Sequence, residues 1–273
     1  MTVRLDAAVA ARGLARSRSH AAALIAAGAV SIDGAVVTKA ATQVGDAARI
    51  AVSAADGYVS RAAHKLIAAL DGFGIDAAGR IALDMGASTG GFTQVLLERG
   101  ARRVLAVDVG HDQLAPELRS DARVSVVEGF NVRYMTPETL AEASGSSDRP
   151  TLITGDLSFI SLRHVLPAVA ELVGETPREA CDIVLLVKPQ FEVGRQGIRA
   201  GIVVSDKLRA AAVADVIDDA GRLGLTVRGV LPSPVAGTHG NREALLHLVP
   251  SPAAGEERAA AAWAEQIARA TAV

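Results

Sequence analysis

Residues 81–92, I-A-L-D-M-G-A-S-T-G-G-F, decide the fold of this chain. The apolar run at 81–85 is typical of a buried strand, and the glycines after it let a ligand approach the backbone where a helix begins. The dinucleotide fingerprint G-x-G-x-x-G is absent, and no lysine follows the glycines, which excludes a P-loop. Taken alone, the turn is therefore only a weak signal of a ligand site.

Six further apolar runs follow this first strand, and helical stretches separate most of them. Such runs predict a mostly parallel, doubly wound α/β sheet that is buried on both faces. The last two runs are joined by a Pro- and Gly-rich loop at 232–240, and they could form an antiparallel edge. The seven predicted strands are 81–85, 104–107, 124–127, 152–154, 183–187, 226–231 and 245–249.

The amino-acid composition limits the kinds of site and partner that this chain can have. Of 273 residues 50% are hydrophobic and 3% are aromatic, and the formal net charge is −2, so any basic surface for nucleic acid must be local. The single cysteine, Cys181, excludes an internal disulfide and a cysteine-rich zinc site and is expected to be buried. The six histidines lack metal-ligand spacing, so no metal is expected. Without a signal-like or spanning apolar stretch, we expect a cytoplasmic protein with no membrane contact.

The N-terminal part predicts a separate small α+β domain at 1–56. We expect a helix at 3–12, a second helix capped by Ser17, and a hairpin whose turn is Asp33-Gly34. A bridging segment at 57–78 and a larger domain at 79–273 follow. The predicted RNA contacts are basic side chains, most of them in residues 1–30, where Asp6 is the one acidic residue. They are Arg4, Arg12, Arg16, Arg18 and, in the bridge, Arg61.

A second acidic residue completes the predicted cofactor site. Asp108 ends the next strand, 22 residues after Gly86, where a carboxylate accepts hydrogen bonds from a ribose diol. The pattern D-x-G-x-x-x-G-G, followed by this acid, matches class I (Rossmann-like) methyltransferases, which use S-adenosylmethionine; a tight turn with a solvated aspartate is the alternative. The predicted cofactor contacts are Asp84, Gly86, Ala87, Ser88, Gly90, Gly91, Phe92, Asp108, Val109, Asn131 and Asp156.

Four residues are candidates for the chemistry. Asp156 and Lys188 directly follow the fourth and fifth strands, Lys65 lies in the bridge, and Glu243 precedes the last strand. Carboxyl ends of parallel strands meet in one crevice, so we expect these side chains near Gly86. A lysine buried there beside a second cation would have its charged form disfavoured, which makes Lys188 a plausible general base for an alcohol proton.

These segments resemble a known family. Residues 57–249 are similar to FtsJ-like ribose methyltransferases, whose Lys-Asp-Lys-Glu tetrad falls in order on Lys65, Asp156, Lys188 and Glu243. The blocks at 59–66, 86–93, 156–162 and 187–194 resemble the TlyA family of rRNA (cytidine-2'-O)-methyltransferases, long labelled haemolysins. The N-terminal segments resemble the RNA-binding domain of ribosomal protein S4.

The resemblance implies methyl transfer from S-adenosylmethionine to a cytidine 2'-hydroxyl of 16S or 23S rRNA within ribosomal subunits, with no obligate protein partner. Lys188 would be the base, and Asp156, Lys65 and Glu243 would hold the polar network. Residues beyond Pro250, including Trp263, favour the longer type that acts on both subunits. Three alternatives remain: a non-catalytic RNA-binding assembly factor, a base methyltransferase, and a membrane-active haemolysin.

Overall fold

A computed structural model describes residues 2–15, 17–26, 28–45, 47–52, 57–174, 181–194, 197–237, 240–251 and 260–272. Its contacts divide the chain into two compact units, Met1–Tyr58 and Val59–Val273. Most of the bridging segment at 57–78 therefore packs with the second unit. It carries α3, an 11-residue helix whose buried side is lined by Leu66, Ala69 and Leu70.

The first unit contains two helices and two small antiparallel sheets. Strand β1 pairs with β4, and β3, β2 and β5 form a three-stranded sheet in that order. The turn at Asp33 and Gly34 has φ values of 49° and 86°, as a tight hairpin requires. The elements are β1 Thr2–Arg4, α1 Leu5–Ala11, α2 Arg18–Ala26, β2 Val30–Ile32, β3 Ala35–Val36, β4 Gln43–Gly45 and β5 Ile50–Val52.

The start of the first unit differs from the sequence prediction. A helix was expected at 3–12, but residues 2–4 form a strand and the helix begins at Leu5. Val3 pairs with Val44 on a strand that the sequence pattern did not predict. Both strands are three residues long, so non-local pairing overrides local helix preference there. The Ser17 cap is present: its hydroxyl accepts the backbone N–H of His20 at 3.1 Å.

The second unit is a seven-stranded sheet in the order β11-β12-β10-β9-β6-β7-β8. Strands β8, β7, β6, β9 and β10 are mutually parallel, and β12 is antiparallel to both β10 and β11. The predicted doubly wound α/β fold is confirmed, including the antiparallel edge. The strands are β6 Ile81–Met85, β7 Arg103–Val107, β8 Val124–Val127, β9 Leu152–Gly155, β10 Asp182–Val187, β11 Leu225–Pro232 and β12 Ala244–Pro250.

Helices cover this sheet because inner strands such as β6 and β12 are mostly apolar and buried along their whole length. All five residues of β6 and all seven of β12 are buried, which requires cover on both faces. The helices are α3 Ala63–Phe73, α4 Gly91–Glu98, α5 Pro116–Arg119, α6 Pro137–Ser144, α7 Leu166–Val173, α8 Pro189–Glu192, α9 Asp206–Arg222 and α10 Ala264–Thr271. Short 3-10 turns occupy Val132–Tyr134, Leu162–His164 and Ala260–Trp263.

The C-terminal segment belongs to the core. The sequence left open whether residues after Pro250 form a helix or a tail. In the structure Trp263 and Ile267 are 7% and 4% exposed and join the main apolar cluster, and α10 packs against α9 and β11.

None of the helices in the described ranges has the length and apolar character needed to cross a bilayer.

Candidate active site

One edge of the seven-stranded sheet brings the four predicted catalytic residues together. Asp156 directly follows β9, and Lys188 directly follows β10. Strand β12 is antiparallel to β10, so Glu243, which precedes it, lies at the same edge. Lys65 comes from α3, which packs against β12. Four residues that are far apart in sequence thus meet where the parallel strands end.

The four side chains form a chain of alternating charges. Lys65 Nζ lies 2.7 Å from Glu243 Oε2 and 3.3 Å from Asp156 Oδ2. Lys188 Nζ lies 2.7 Å from Asp156 Oδ1. The contact order is therefore Glu243, Lys65, Asp156, Lys188, with Asp156 bridging the two amines.

This chain of charges is largely shielded from water. Lys65 and Lys188 are each 7% exposed, and Glu243 is 4% exposed. Burial by itself raises the pKa of Asp156, but the charges of Lys65 and Lys188 and their hydrogen bonds outweigh it, so this pKa lies below its usual range. Asp156 is therefore an ionised acceptor between two amines at neutral pH.

Two further polar residues belong to this group, and the sequence analysis missed both. Lys188 Nζ donates to Ser158 Oγ at 2.8 Å, and Gln190 Nε2 lies 3.5 Å from Glu243 Oε1. The sequence analysis expected a second cation near Lys188, and the structure also places the carboxylate of Asp156 there. Ser158 lies two residues after Asp156, in the turn that follows β9. Gln190 lies two residues after Lys188, in α8, which follows β10. That spacing is the signal that could have identified them.

The glycine-rich turn after β6 lies beside this group. Gly86 has a φ of 80°, and a Cβ there would lie 3.3 Å from the carbonyl oxygen of Asp156, so the two turns pack closely. Gly90 and Gly91 serve a different need. A Cβ at Gly90 would collide with the side chain of Leu118, and one at Gly91 would lie 2.9 Å from Ser60 Cβ. These two glycines let α4 begin close to neighbouring elements.

Asp108 is held rigidly at the end of β7. Its Oδ2 accepts the backbone N–H of Ser88 at 2.8 Å, and its Oδ1 accepts that of Gly110 at 2.7 Å. These bonds connect it to the turn that carries Gly86. Each carboxylate oxygen still has lone pairs that can accept a further hydrogen bond. Ser88 is exposed, and the neighbouring Val109 is 68% exposed.

The remaining predicted cofactor contacts have diverse surroundings. Ala87 and Phe92 are buried at 7% and 4% exposure. Asn131 is exposed, and its Oδ1 accepts the backbone N–H of Arg133 at 3.0 Å, which caps a 3-10 turn after β8. The structure therefore brings Asn131 to the carboxyl edge with its side chain already bonded locally.

Asp84 is the most deeply buried acidic group of the turn. It is 0% exposed, and its Oδ2 accepts the hydroxyl of Thr93 at 2.7 Å. Its Oδ1 has no hydrogen-bond partner among the residues that the structure describes. Burial, only partly opposed by the Thr93 hydroxyl, raises the pKa of Asp84 to about 7. A buried acceptor without a donor indicates that a ligand group can bind there.

The three predicted RNA-binding arginines of the first unit that the structure describes, Arg4, Arg12 and Arg18, have partners. Arg4 Nη2 lies 2.9 Å and Arg18 Nε 3.2 Å from Asp6 Oδ2, and the Arg4 hydrogen bond holds the pKa of Asp6 well below its usual range. Arg12 donates to the carbonyl oxygen of Ala48 at 2.7 Å. The side chains of Arg4 and Arg18 remain 44% and 59% exposed. Arg16 lies outside the described residues, and Arg61 is exposed in the second unit.

Comparison with known proteins identifies the family. The sequence pattern of FtsJ-like methyltransferases matches residues 58–249, and that of the S4 domain matches residues 3–50. The chain belongs to the FtsJ-like methyltransferase family. Both resemblances drawn from the sequence are thereby confirmed.

Relatives place the chain in the TlyA branch of this family. The 16S/23S rRNA (cytidine-2'-O)-methyltransferase TlyA of Mycobacterium tuberculosis is 52% identical over 90% of this chain and 89% of its own length. The 23S rRNA (cytidine-2'-O)-methyltransferase TlyA of Campylobacter jejuni is 37% identical over 68% of each chain. A solved structure of a protein from Streptococcus thermophilus, described as a putative hemolysin, is 36% identical, covers 98% of this chain and 95% of its own, and has a TM-score of 0.74.

Proposed function

We propose that this chain is a cytoplasmic enzyme that transfers the methyl group of S-adenosylmethionine to the ribose 2'-hydroxyl of a cytidine in 16S or 23S rRNA, within ribosomal subunits. The observation that carries the proposal is the chain of contacts from Glu243 through Lys65 and Asp156 to Lys188, next to the turn at Gly86. The names of the TlyA relatives, and the share of each chain that they match, support a cytidine ribose of rRNA as the substrate.

The residues at the carboxyl edge fit S-adenosylmethionine. Asp108 is oriented by two backbone amides and can accept hydrogen bonds from a ribose diol. The unpartnered Oδ1 of Asp84 is an acceptor for a cationic or N–H group. The cofactor supplies an activated methyl group on a sulfonium centre. What remains for the protein is to align a hydroxyl and remove its proton.

Lys188 is the better base of the two lysines because of what surrounds each amine. Lys65 lies between two carboxylates, those of Glu243 and Asp156, and this pair stabilises its ammonium form. Lys188 contacts one carboxylate, which it shares with Lys65, and one neutral hydroxyl. Lys188 thus has one carboxylate neighbour fewer than Lys65. In this proposal Lys188 takes the 2'-hydroxyl proton, while Lys65, Asp156 and Glu243 hold the network.

The S4 domain would hold the RNA. Its arginines Arg4, Arg12 and Arg18, together with Arg16, are proposed to contact phosphates, and Arg61 in the second unit would do the same. Arg4 and Arg18 share Asp6, so this carboxylate orients both guanidinium groups while each keeps unused N–H donors. Non-specific phosphate contacts of this kind position a substrate but do not select the base.

The decisive experiment supplies the purified chain with labelled S-adenosylmethionine and ribosomal subunits that lack the modification. Mass spectrometry of the rRNA should place the new methyl group on a cytidine ribose. Lys188→Ala should lower kcat by roughly 10²- to 10⁴-fold and leave S-adenosylmethionine binding in calorimetry nearly unchanged. Lys207→Ala, an exposed lysine on α9, is the matched control. Label on a base rather than a ribose, or wild-type turnover by Lys188→Ala, would refute the proposal.

A further inference from the structure

We propose that Ser158 is a positioning residue that orients the amine of Lys188. The inference rests on the proposed function for its catalytic meaning, and on a contact in the structure for its physical basis. Lys188 Nζ donates to Ser158 Oγ at 2.8 Å and lies 2.7 Å from Asp156 Oδ1. Ser158 itself is exposed, whereas Lys188 is buried, so the hydroxyl lies on the solvent side of the amine.

Two acceptors fix the direction of an amine, whereas one does not. The nitrogen of lysine is tetrahedral: one direction is the bond to Cε, a hydrogen donated to Ser158 takes a second, and the ion pair with Asp156 draws another hydrogen towards Oδ1. The fourth direction is then determined, and the lone pair of the neutral amine lies along it. With Asp156 alone, one hydrogen would keep its direction, but the second hydrogen and the lone pair could exchange the two that remain. A base has to point at the proton it removes, so Ser158 supplies the alignment.

The choice of a neutral hydroxyl matters. Lys65 has two carboxylate acceptors, which orient its amine but also stabilise its charge. At Lys188 a hydroxyl takes the place of the second carboxylate. A hydroxyl accepts a hydrogen bond without adding a negative charge, so it can orient the amine and still allow it to lose a proton.

Several contacts hold Ser158 at this distance from Lys188. The turn after β9 is tied to the turn after β10 by the rings of Phe159 and Phe191, whose centroids are 5.5 Å apart. Further along the same segment, the Ser161 hydroxyl donates a hydrogen bond to the Glu192 carboxylate. The backbone N–H of Leu162 donates a second one to it at 2.8 Å. Phe159 has a φ of 65°, a left-handed conformation that a bulky residue adopts only where its surroundings impose it. The backbone therefore turns sharply directly after Ser158.

The first test separates orientation from binding by kinetics. Ser158→Ala should lower kcat roughly tenfold, the order expected for losing one orienting hydrogen bond, with the KM for S-adenosylmethionine and the melting temperature unchanged. Ser158→Thr keeps the hydroxyl and should restore most of the lost kcat. Ser120→Ala, an exposed serine whose hydroxyl bonds within α5, is the control. Wild-type kcat in Ser158→Ala, or a threonine variant as slow as the alanine variant, would overturn the inference.

The second test needs no methyl acceptor. The sequence has four lysines, Lys39, Lys65, Lys188 and Lys207, so ¹⁵N-lysine NMR gives few side-chain signals, and Lys188→Arg assigns one of them. The Nζ hydrogens of Lys188 should exchange more slowly than those of exposed Lys39 and Lys207. Ser158→Ala should accelerate exchange at Lys188 at least about threefold and leave Lys65 unchanged.

The exchange measurement tests whether Ser158 orients the amine, and the methylation assay tests the proposed function. Unchanged exchange at Lys188 in Ser158→Ala means that the serine does not orient the amine, whatever the enzyme methylates. If exchange responds as expected while ribosomal RNA receives no methyl group, the proposed function is wrong and the orienting contact stands. If both respond, Ser158 positions the base of the reaction.

Discussion

The same sheet carries a cluster of ionisable side chains at each end, largely buried at one end and partly buried at the other. The carboxyl-edge cluster is Lys65, Asp156, Lys188 and Glu243. The amino-edge cluster is Arg80, Asp182 and His247: Arg80 Nη1 lies 2.6 Å from Asp182 Oδ2, and His247 Nε2 lies 2.8 Å from Asp182 Oδ1. Arg80 precedes β6 and Asp182 opens β10, so this second cluster lies where the parallel strands begin.

The two clusters differ in the chemistry of their cations. At the amino edge a guanidinium, always charged, also donates to the side chain and carbonyl oxygen of Thr151 and so ties three strand starts together. At the carboxyl edge the cations are primary amines, which can lose a proton. Burial opposes ionisation of Asp182, yet hydrogen bonds from His247 and Arg80 lower its pKa, much as the lysines do for Asp156. Buried charge alone therefore does not mark a catalytic site.

Removing Lys65 from the carboxyl-edge cluster should lower both the activity and the stability of the protein. Lys65→Met leaves Glu243 and Asp156 as buried carboxylates without this cation, so kcat should fall by roughly 10²-fold or more and the unfolding free energy should drop. Adding Glu243→Gln removes one uncompensated charge. The double variant should regain stability in urea titrations but not activity. If activity returned with stability, Lys65 would have only a structural role.

Removing Arg80 should lower stability and leave activity nearly unchanged. Arg80→Met deprives Asp182 of its guanidinium and should cost about 2–4 kcal/mol of unfolding free energy, at the lower end for a buried pair because the side chains are 18% and 25% exposed. Methyl transfer per folded molecule at low temperature should stay within about twofold. Arg99→Met, which breaks the exposed pair with Asp71, is the control and should cost less than about 1 kcal/mol.

Asp84 makes stability depend on pH. Its folded pKa of about 7 exceeds the ordinary value of 3.8, so the folded state retains a proton that the unfolded state has already lost between those values. The contribution of Asp84 to stability is therefore greatest at acid pH and declines as the pH rises towards 7, by at most about 4 kcal/mol. Asp84→Asn mimics the protonated acid and should remove this part of the decline.

The measurement is the difference in urea-derived unfolding free energy between pH 5 and pH 8, for the wild type and for Asp84→Asn. The difference should be larger in the wild type. Asp215→Asn, an exposed residue on α9, controls for the loss of one formal charge. Parallel pH dependence in the wild type and Asp84→Asn would contradict the raised pKa.

The sequence predicted the sheet well because its signals are local. Continuous apolar runs gave every strand of the large sheet to within one residue at each end, and glycines marked the turn after β6. The short strands β1 and β4 were not predicted as a pair, since three-residue strands gain their stability from a distant partner. The C-terminal helix was uncertain because alanines give little indication of a buried face until Trp263 and Ile267 pack on the core.

The candidate site was predictable in its members but not in its contacts. The positions of Asp156 and Lys188 after adjacent strands already indicated one crevice. The sharing of Asp156 by both lysines, and the hydroxyl of Ser158 as the second acceptor of Lys188, depend on side-chain directions in two turns. The amino-edge cluster had no signal at all, because Arg80, Asp182 and His247 are spread along the chain without a motif.

Cys181 offers a way to compare the two clusters without an enzyme assay. It adjoins Asp182, is 1% exposed, and burial raises the pKa of its thiol to about 12, so native protein should react very slowly with Ellman's reagent. Full reaction of one thiol per chain should follow denaturation. We expect opening of the amino edge to limit this reaction, so Arg80→Met should accelerate it by roughly tenfold for each 1.4 kcal/mol of stability lost. A carboxyl-edge variant, Lys65→Met with Glu243→Gln, should react no faster than its own unfolding free energy predicts. If that variant exposed Cys181 more than Arg80→Met does, the two ends of the sheet would open together and the division between them would be wrong.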